Sequence, residues 1–220
     1  MSRRLDVRDA PGREDGVLVA ADAVRRGEVV VLPTDTVYGI GADAFDRAAV
    51  QALLAAKGRG REMPPPVLVA NPRVTDGLTI DLPSYARDLI DAFWPGGLTL
   101  VCQAQPTLDW DLGDTGGTVA VRMPLHRTAL ALLDRTGPMA VTSANRTGQP
   151  AALTCEEAQE QLGDAVSVYL DGGRVTGGLA STIVDVTADR PRVLRAGAVP
   201  LERLRSVVPQ LDAGVLEDAG

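Results

Sequence analysis

The stretch EVVVLPTDTVYGIG, residues 28–41, decides the fold. Glu28-Val29-Val30-Val31-Leu32 is an apolar, β-branched run of strand length. Pro33 ends it, because proline brings no N–H to a ladder. Three hydroxyls (Thr34, Thr36, Tyr38) and the Asp35 carboxylate then crowd into residues 34–38. Gly39 and Gly41 follow, and glycine lets the backbone approach another group closely. A helical pattern starts near Asp46. Strand, polar turn and helix make up the repeating unit of an α/β sheet, in which polar residues at the carboxyl ends of strands line a crevice. Taken alone, the same stretch also reads as a Thr/Asp turn that caps the next helix.

Outward from this stretch, strands and helices alternate. Residues 1–13 are charged and read as a flexible N-terminus. Residues 14–26 carry Val17, Leu18, Ala20, Ala21 and Val24 at helical spacing, with Gly27 as the stop. Helix 46–57 is followed by strand 67–69, helix 83–93 and strand 98–101, then a polar, turn-rich segment over 105–117. Strand 118–121, helix 126–135, strand 139–141 and helix 154–162 come next, the last with Thr154 and Glu157 spaced as a capping box. Strand 166–169, a glycine-rich loop over 171–180 and strand 181–186 lead to a closing hairpin partner at 192–195. Residues 200–208 read as helix and 209–220 as an acidic tail that frays. The pattern is α/β, one domain over residues 14–208, and the closing hairpin makes its sheet mixed.

Composition narrows the function. The chain has 220 residues, 45% hydrophobic and 3% aromatic, so Val, Leu and Ala must build the core. A net charge of −7 opposes strong direct nucleic-acid binding. Cys102 and Cys155 are isolated, and one histidine, His126, excludes a multi-histidine metal site. The N-terminal sequence contains no apolar signal region, and no apolar run reaches membrane-spanning length, so the chain reads as soluble and cytoplasmic.

Polar groups recur just after apolar strands: Thr34 to Tyr38, Arg122, Ser143 to Asn145, Ser181 to Thr182, and Arg195. Lys57-Gly58-Arg59-Gly60-Arg61 is a basic, glycine-rich segment that can swing over them. Its charges are expected to be exposed, so that substitution costs turnover rather than stability. Arginine, lysine, hydroxyl and backbone N–H donors suit phosphates and carboxylates. No Ser–His, Cys–His or paired-carboxylate arrangement is evident. Such a site works by positioning and charge neutralisation, as phosphoryl and nucleotidyl transfer do. A Walker-type phosphate loop is absent, so any Mg2+ would be held mainly by nucleotide phosphates. Gly39-Ile40-Gly41-Ala42-Asp43-Ala44 also matches a dinucleotide-binding fingerprint. However, polar residues and a proline intervene after Leu32, and the next strand ends without an acid.

Together PTDTVYGIG (33–41), KGR (57–59), WPGGLTL (94–100), VRMP (121–124), TSAN (142–145), STIVD (181–185) and LRAG (194–197) resemble the YrdC-type threonylcarbamoyl-AMP synthases in their short form. The resemblance runs over about residues 14–200. It implies an open twisted mixed α/β sheet with flanking helices and a concave, positively lined face. It also implies synthesis of threonylcarbamoyl-AMP and pyrophosphate from L-threonine, bicarbonate and ATP. The product would pass to a tRNA threonylcarbamoyl transferase for adenosine modification. A non-catalytic nucleotide- or RNA-binding module of the same fold is the alternative.

By the same resemblance Thr34, Arg122 and Ser181 face L-threonine. Lys57 and Arg59 are the catalytic pair on the triphosphate, joined by Arg61, while Thr118, Ser143, Asn145 and Arg195 bind ATP; no residue is carried over as a metal ligand. The chain departs from the family pattern at Gly60, where a proline is expected, at Met63-Pro64-Pro65, and in the apolar strand Val67-Leu68-Val69, where a histidine is common.

Overall fold

The run 28–32 forms a strand at the centre of the molecule because its side chains alternate between two buried layers. Val29 and Val31 enter one apolar cluster, Val30 and Leu32 another, on opposite faces of the sheet. The computed structural model describes residues 2–214. In chain order the elements are β1 (Arg3–Asp6), α1 (Ala10–Arg25), β2 (Val30–Leu32), β3 (Gly39–Asp43), α2 (Arg47–Lys57), β4 (Val67–Leu68), α3 (Thr75–Leu78), α4 (Ser84–Phe93), β5 (Leu98–Gln103), β6 (Thr118–Arg122), α5 (Arg127–Thr136), β7 (Met139–Ser143), α6 (Cys155–Leu162), β8 (Val168–Asp171), β9 (Thr182–Asp185), β10 (Arg192–Arg195) and α7 (Leu201–Val207). The strands make one open ten-stranded sheet in the order β1-β8-β2-β3-β7-β4-β6-β5-β9-β10. It is mixed, as expected: β8 runs parallel to β1 and β2, whereas β3 is antiparallel to both β2 and β7.

The two faces are covered unequally. On one face α2, α4 and α6 close over Val31, Ile40, Val67, Leu98, Leu100, Val119, Val121 and Val184, which form a continuous core. On the other face α1 and α5 bury Val30, Leu32, Leu68, Met139, Val141, Val168 and Leu170. That second layer stops at β4 and β7. The alternate residues of β5, β6 and β9, among them Thr99, Ala120, Arg122 and Ile183, instead line a cavity to which no described helix contributes a side chain. Period-two alternation therefore puts Leu98, Leu100, Val119 and Val121 into the core and Thr99, Val101, Thr118, Ala120 and Arg122 into the cavity.

Three expectations need correction. The deciding stretch is a strand, a loop and a second strand, because β3 returns antiparallel to β2 with Leu32 opposite Gly39. Gly39 and Gly41 are thus strand residues rather than loop residues. A Cβ at Gly39 would meet Val141 Cγ1 at 2.7 Å, and one at Gly41 would meet Val141 Cγ2 at 2.9 Å. The glycines let β3 lie against the bulky side chains of β7. They start no helix, since α2 begins only at Arg47 behind the Asp46 cap, which removes the dinucleotide fingerprint. Residues 1–13 contain β1, paired residue for residue with β8, and the first turn of α1, capped by Asp9 on the Gly12 amide at 2.7 Å. Val7 is buried beneath that helix. A four-residue edge strand is too short to show its own alternation. Finally, chain order persists past 208, with Leu211 buried and Asp212 bridging Arg192. The rest of the expected tail, 215–220, lies outside the described residues.

Other local readings hold. Thr154 Oγ1 accepts from the Glu157 amide at 3.1 Å, and Glu157 Oε2 accepts from the Leu153 amide at 2.7 Å, a capping box displaced by one residue on its return bond. Among the described residues no helix is long and apolar enough to cross a membrane.

Gly39→Ala should lower stability by about 1–3 kcal/mol, the usual range for overpacking, because β-branched Val141 cannot rotate away from the added methyl. Urea unfolding of the variant beside the wild type measures it; an unchanged midpoint would show that β7 can retreat from β3.

Candidate active site

The cavity has a volume of about 340 Å³, within the range of small-molecule sites. Strand β6 supplies its floor through Thr118, Ala120 and Arg122, and β5 through Thr99 and Val101. The ends of β7 and β10 contribute Thr142, Ser143 and Arg195. Thr34 and Thr36 come from the loop after β2, Ser181 from the residue before β9, and Arg59 with Pro64–Pro66 from the segment after α2. Of the sequence-predicted residues the structure thus brings together Thr34, Arg59, Thr118, Arg122, Ser143, Ser181 and Arg195. Lys57, Arg61 and Asn145 do not line the cavity.

Arg122 is the most constrained group. It is 6% exposed. Its Nε donates to the Gly96 carbonyl at 2.9 Å, one terminal nitrogen donates to Thr36 Oγ1 at 2.9 Å, and the other donates to Asp35 Oδ1 at 2.6 Å. The same Asp35 oxygen accepts the Leu125 amide at 2.9 Å. Burial draws the arginine pKa below its ordinary value, and Asp35 opposes that. A guanidinium stays protonated throughout, so this is a buried ion pair. Thr34 completes the corner: its Oγ1 donates to the Val37 carbonyl at 2.6 Å and lies 3.1 Å from Thr36 Oγ1.

Arg59 and Arg195 are different. Among the described residues neither forms an ion pair. Arg59 donates one terminal nitrogen to Thr142 Oγ1 at 3.0 Å, and its buried Nε has no partner. Arg195 donates only to neutral oxygens, the Ser181 carbonyl at 2.8 and 3.1 Å and Ser181 Oγ at 3.2 Å. Ser181 Oγ in turn lies 2.8 Å from Thr99 Oγ1. Burial lowers both arginine pKa values, and for Arg195 the positive charges of Arg122 and Arg59 lower it further. Glu62 offsets part of the effect on Arg59. Two guanidiniums facing one cavity without an ion-paired carboxylate are complementary to a multiply charged anion.

Lys57 corrects the picture of an exposed basic lid. Helix α2 runs to Lys57 and ends on Gly58 in the left-handed region, φ +62°. The lysine is 3% exposed. Its Nζ donates to the Ser143 carbonyl at 2.5 Å, the Asn145 carbonyl at 2.7 Å and Asn145 Oδ1 at 3.3 Å. All three ammonium hydrogens are spent on the turn after β7. Burial brings the lysine pKa down to about 8, helped by the charge of Arg59; the three oxygen acceptors favour the charged form. Asn145 is likewise occupied, its Nδ2 donating to the Gln149 and Arg146 carbonyls at 2.7 and 3.0 Å. These two residues shape the turn that presents Thr142 and Ser143. Arg61 points outward to Asp111 at 2.8 Å and Asp114 at 3.3 Å, and its carbonyl accepts the Asp114 amide at 2.8 Å. It ties the segment after α2 to the loop before β6.

Sequence reasoning assigned no role to Asp35, Thr36, Thr99 or Thr142. Asp35 and Thr36 stood in the deciding stretch, but their partner on β6 lies 87 and 86 residues away. Thr99 carried a readable signal, a polar residue alternating with Leu98 and Leu100. Among the described residues no three His, Cys, Asp or Glu side chains gather where they could hold a metal ion.

Comparison with known proteins places these residues in a family. A family model for Sua5, YciO and YrdC proteins, described as telomere recombination, matches residues 22–197. A Mycobacterium leprae protein provisionally named threonylcarbamoyl-AMP synthase is 53% identical over 216 residues, 98% of each chain. The threonylcarbamoyl-AMP synthase of Pyrococcus abyssi is 37% identical over 198 residues, 89% of this chain and 58% of that protein. The crystal structure of P. abyssi Sua5 complexed with L-threonine superposes with a TM-score of 0.89 at 33% identity, covering 96% of this chain and 62% of the other.

Lys57 and Arg59, two residues apart, should respond oppositely to truncation. Lys57→Ala strands buried carbonyls and should cost at least about 2 kcal/mol of stability. Arg59→Ala removes an unsatisfied buried nitrogen and should leave stability within about 0.5 kcal/mol, while weakening the binding of inorganic triphosphate at least about tenfold, the loss of a charge-assisted contact. Urea melts and calorimetric titration check both; equal destabilisation would mean that Arg59 also holds the fold.

Proposed function

We propose that this chain, which belongs to the Sua5, YciO and YrdC family, is a threonylcarbamoyl-AMP synthase: it joins L-threonine, bicarbonate and ATP into threonylcarbamoyl-AMP, pyrophosphate and water. The observation that carries the reading is the unequal pairing of three arginines around one cavity. Among the described residues Arg59 and Arg195 form no ion pair, with Glu62 acting on Arg59 only from a distance, whereas Arg122 holds one. A reaction that brings a triphosphate and an amino-acid carboxylate into one cavity needs two such environments.

The threonine amine condenses with bicarbonate, loses water and becomes a carbamate. A carbamate oxygen attacks the α-phosphorus, and pyrophosphate leaves. Both reactants are anions, so the barrier is largely repulsion and alignment. Arg59 and Arg195 bind the triphosphate, with the Thr142 and Ser143 hydroxyls beside them. Arg122 takes the threonine carboxylate, its fork aligned by Gly96, Thr36 and Asp35, and Thr34 and Ser181 flank the amino acid. Thr118 faces the nucleotide. Lys57 and Asn145 support the site from beneath by fixing the turn after β7. No strong base is required, which suits a cavity without histidine. A cavity lined with guanidiniums does not fit a protein-held divalent cation, so Mg2+ would be held by the ATP phosphates.

The catalytic unit runs from β1 to Asp212, wider than 14–208. The mixed anhydride product is reactive and would be handed to a transferase that modifies tRNA. The net charge of −7 makes a protein partner a better receiver than direct tRNA binding.

Pyrophosphate release measured with each component omitted in turn, in buffer stripped of carbon dioxide, tests the reading. The expected result is release of pyrophosphate, not orthophosphate, only when ATP, L-threonine and bicarbonate are all present. L-serine should be a poorer substrate, by about 10–200-fold in kcat/KM, because one missing methyl is worth about 1–3 kcal/mol. Orthophosphate production without threonine would identify a plain nucleotide hydrolase instead.

A further inference from the structure

Asp35 touches no part of the cavity surface, yet its carboxylate is spent on Arg122 alone among the three arginines there. Arg122 is buried and Asp35 half-buried, with side-chain exposures of 8% and 17%. Resting on the function proposed above, we propose that Asp35 is a specificity-determining residue that sorts the two anionic substrates, keeping the triphosphate off Arg122 so that the amino-acid carboxylate can use it.

The physical problem is competition. Arg59, Arg122 and Arg195 line one cavity closely enough for their charges to act on one another. A triphosphate carries several negative charges and a carboxylate only one. If all three guanidiniums were unpaired, the polyanion would gain from each of them and displace the monoanion from any subsite. Asp35 changes this at one position. At 2.6 Å it cancels the net charge of Arg122, so the pair attracts a distant polyanion only as a dipole. Near-contact recognition survives, because each terminal nitrogen of Arg122 makes one bond, to Thr36 and to Asp35, and keeps a second N–H. Those hydrogens can still meet a carboxylate, whose binding depends on fork geometry as well as charge. Juxtaposing like charges, as a phosphate beside Asp35 would, is strongly unfavourable in a desolvated site.

A purely structural role competes with this, since Asp35 Oδ1 also accepts the Leu125 amide and holds the turn after β6. Asp35→Asn separates the two. The amide oxygen can keep both hydrogen bonds while the charge is lost. Inorganic tripolyphosphate is the probe, titrated calorimetrically and used as an inhibitor of pyrophosphate release. The expected result is that D35N binds tripolyphosphate about tenfold tighter, equivalent to ~1.4 kcal/mol. Tripolyphosphate should also raise the KM for threonine in D35N at concentrations that leave that KM unchanged in the wild type. Excess ATP should inhibit D35N competitively against threonine. Unchanged tripolyphosphate affinity in folded D35N, with or without a lower melting temperature, overturns the proposal and leaves Asp35 a structural residue. If D35N does not fold, the wild type decides: tripolyphosphate must compete with ATP and not with threonine, and competition with threonine overturns the proposal. Because the affinity measurement needs no turnover, a failure of the synthase reading appears separately, as absent pyrophosphate release by the wild type.

Discussion

The buried contact between Arg122 and Asp35 is the constraint on which the site geometry depends. An arginine with 8% side-chain exposure must find acceptors within the protein, and desolvating its charge is expensive without a counter-ion. It finds them on segments that are remote in sequence: the loop after β2, through Asp35 and Thr36, and the segment before β5, through Gly96. One guanidinium therefore fixes the distance between the β2–β3 connection and the β5–β6 pair. The sheet order puts β7 and β4 between those regions, so the cavity spans the strands the ion pair brackets. Removing either partner would leave the other without its counter-charge in a poorly solvated corner, which is why the pair holds the shape even though such pairs contribute little net stability.

The second determinant is the incomplete layer on one face of the sheet. Helices α1 and α5 bury Leu68, Met139 and Val141 but extend no further. A fully covered face would require apolar residues at Thr99, Thr118 and Arg122. The sequence instead places Thr99, Thr118 and Arg122 there, interspersed with Val101 and Ala120, the pattern of a sheet face only partly covered. The missing third helix on this face is thus encoded strand by strand, and the cavity is the space it would have filled.

Much of this was legible in the sequence. Alternating strands and helices, the closing hairpin and the polar residues that follow each strand lead to a mixed α/β sheet with one lined cavity, and the strand-end arginines do meet there. What was not legible has physical causes. Gly39 and Gly41 read as loop because they carry no side chain to show alternation, whereas their reason lies on another strand, in the bulk of Val141. KGR reads as a solvated basic loop, since nothing in the string records that α2 continues to Lys57 and that Ser143 and Asn145 present oxygens to it. Arg61 looks like another phosphate ligand. Its carboxylate partners lie 50 and 53 residues further on, in a loop whose position follows from tertiary packing alone. Burial and long-range partners decide which member of a charged cluster is free, and a local sequence carries neither.

That distinction reduces the cationic count of the site, with a consequence for how it works. Of the basic residues after α2, Lys57 is consumed by backbone carbonyls and Arg61 by two aspartates, which leaves Arg59. Across the cavity only Arg195 is likewise unpaired among the described residues, resting on neutral oxygens of Ser181. Two guanidiniums are few for a triphosphate in water, where each contact would be screened. In a half-buried cavity the same two count for more, because the local dielectric is lower and neither needs to reorganise when the anion arrives. Their burial is costly before the ligand binds, and Arg59 bears that cost openly in an unpartnered Nε. The binding of an anion recovers it. Strain held in the empty site and relieved by substrate is how a cavity with little charge can still select a highly charged molecule.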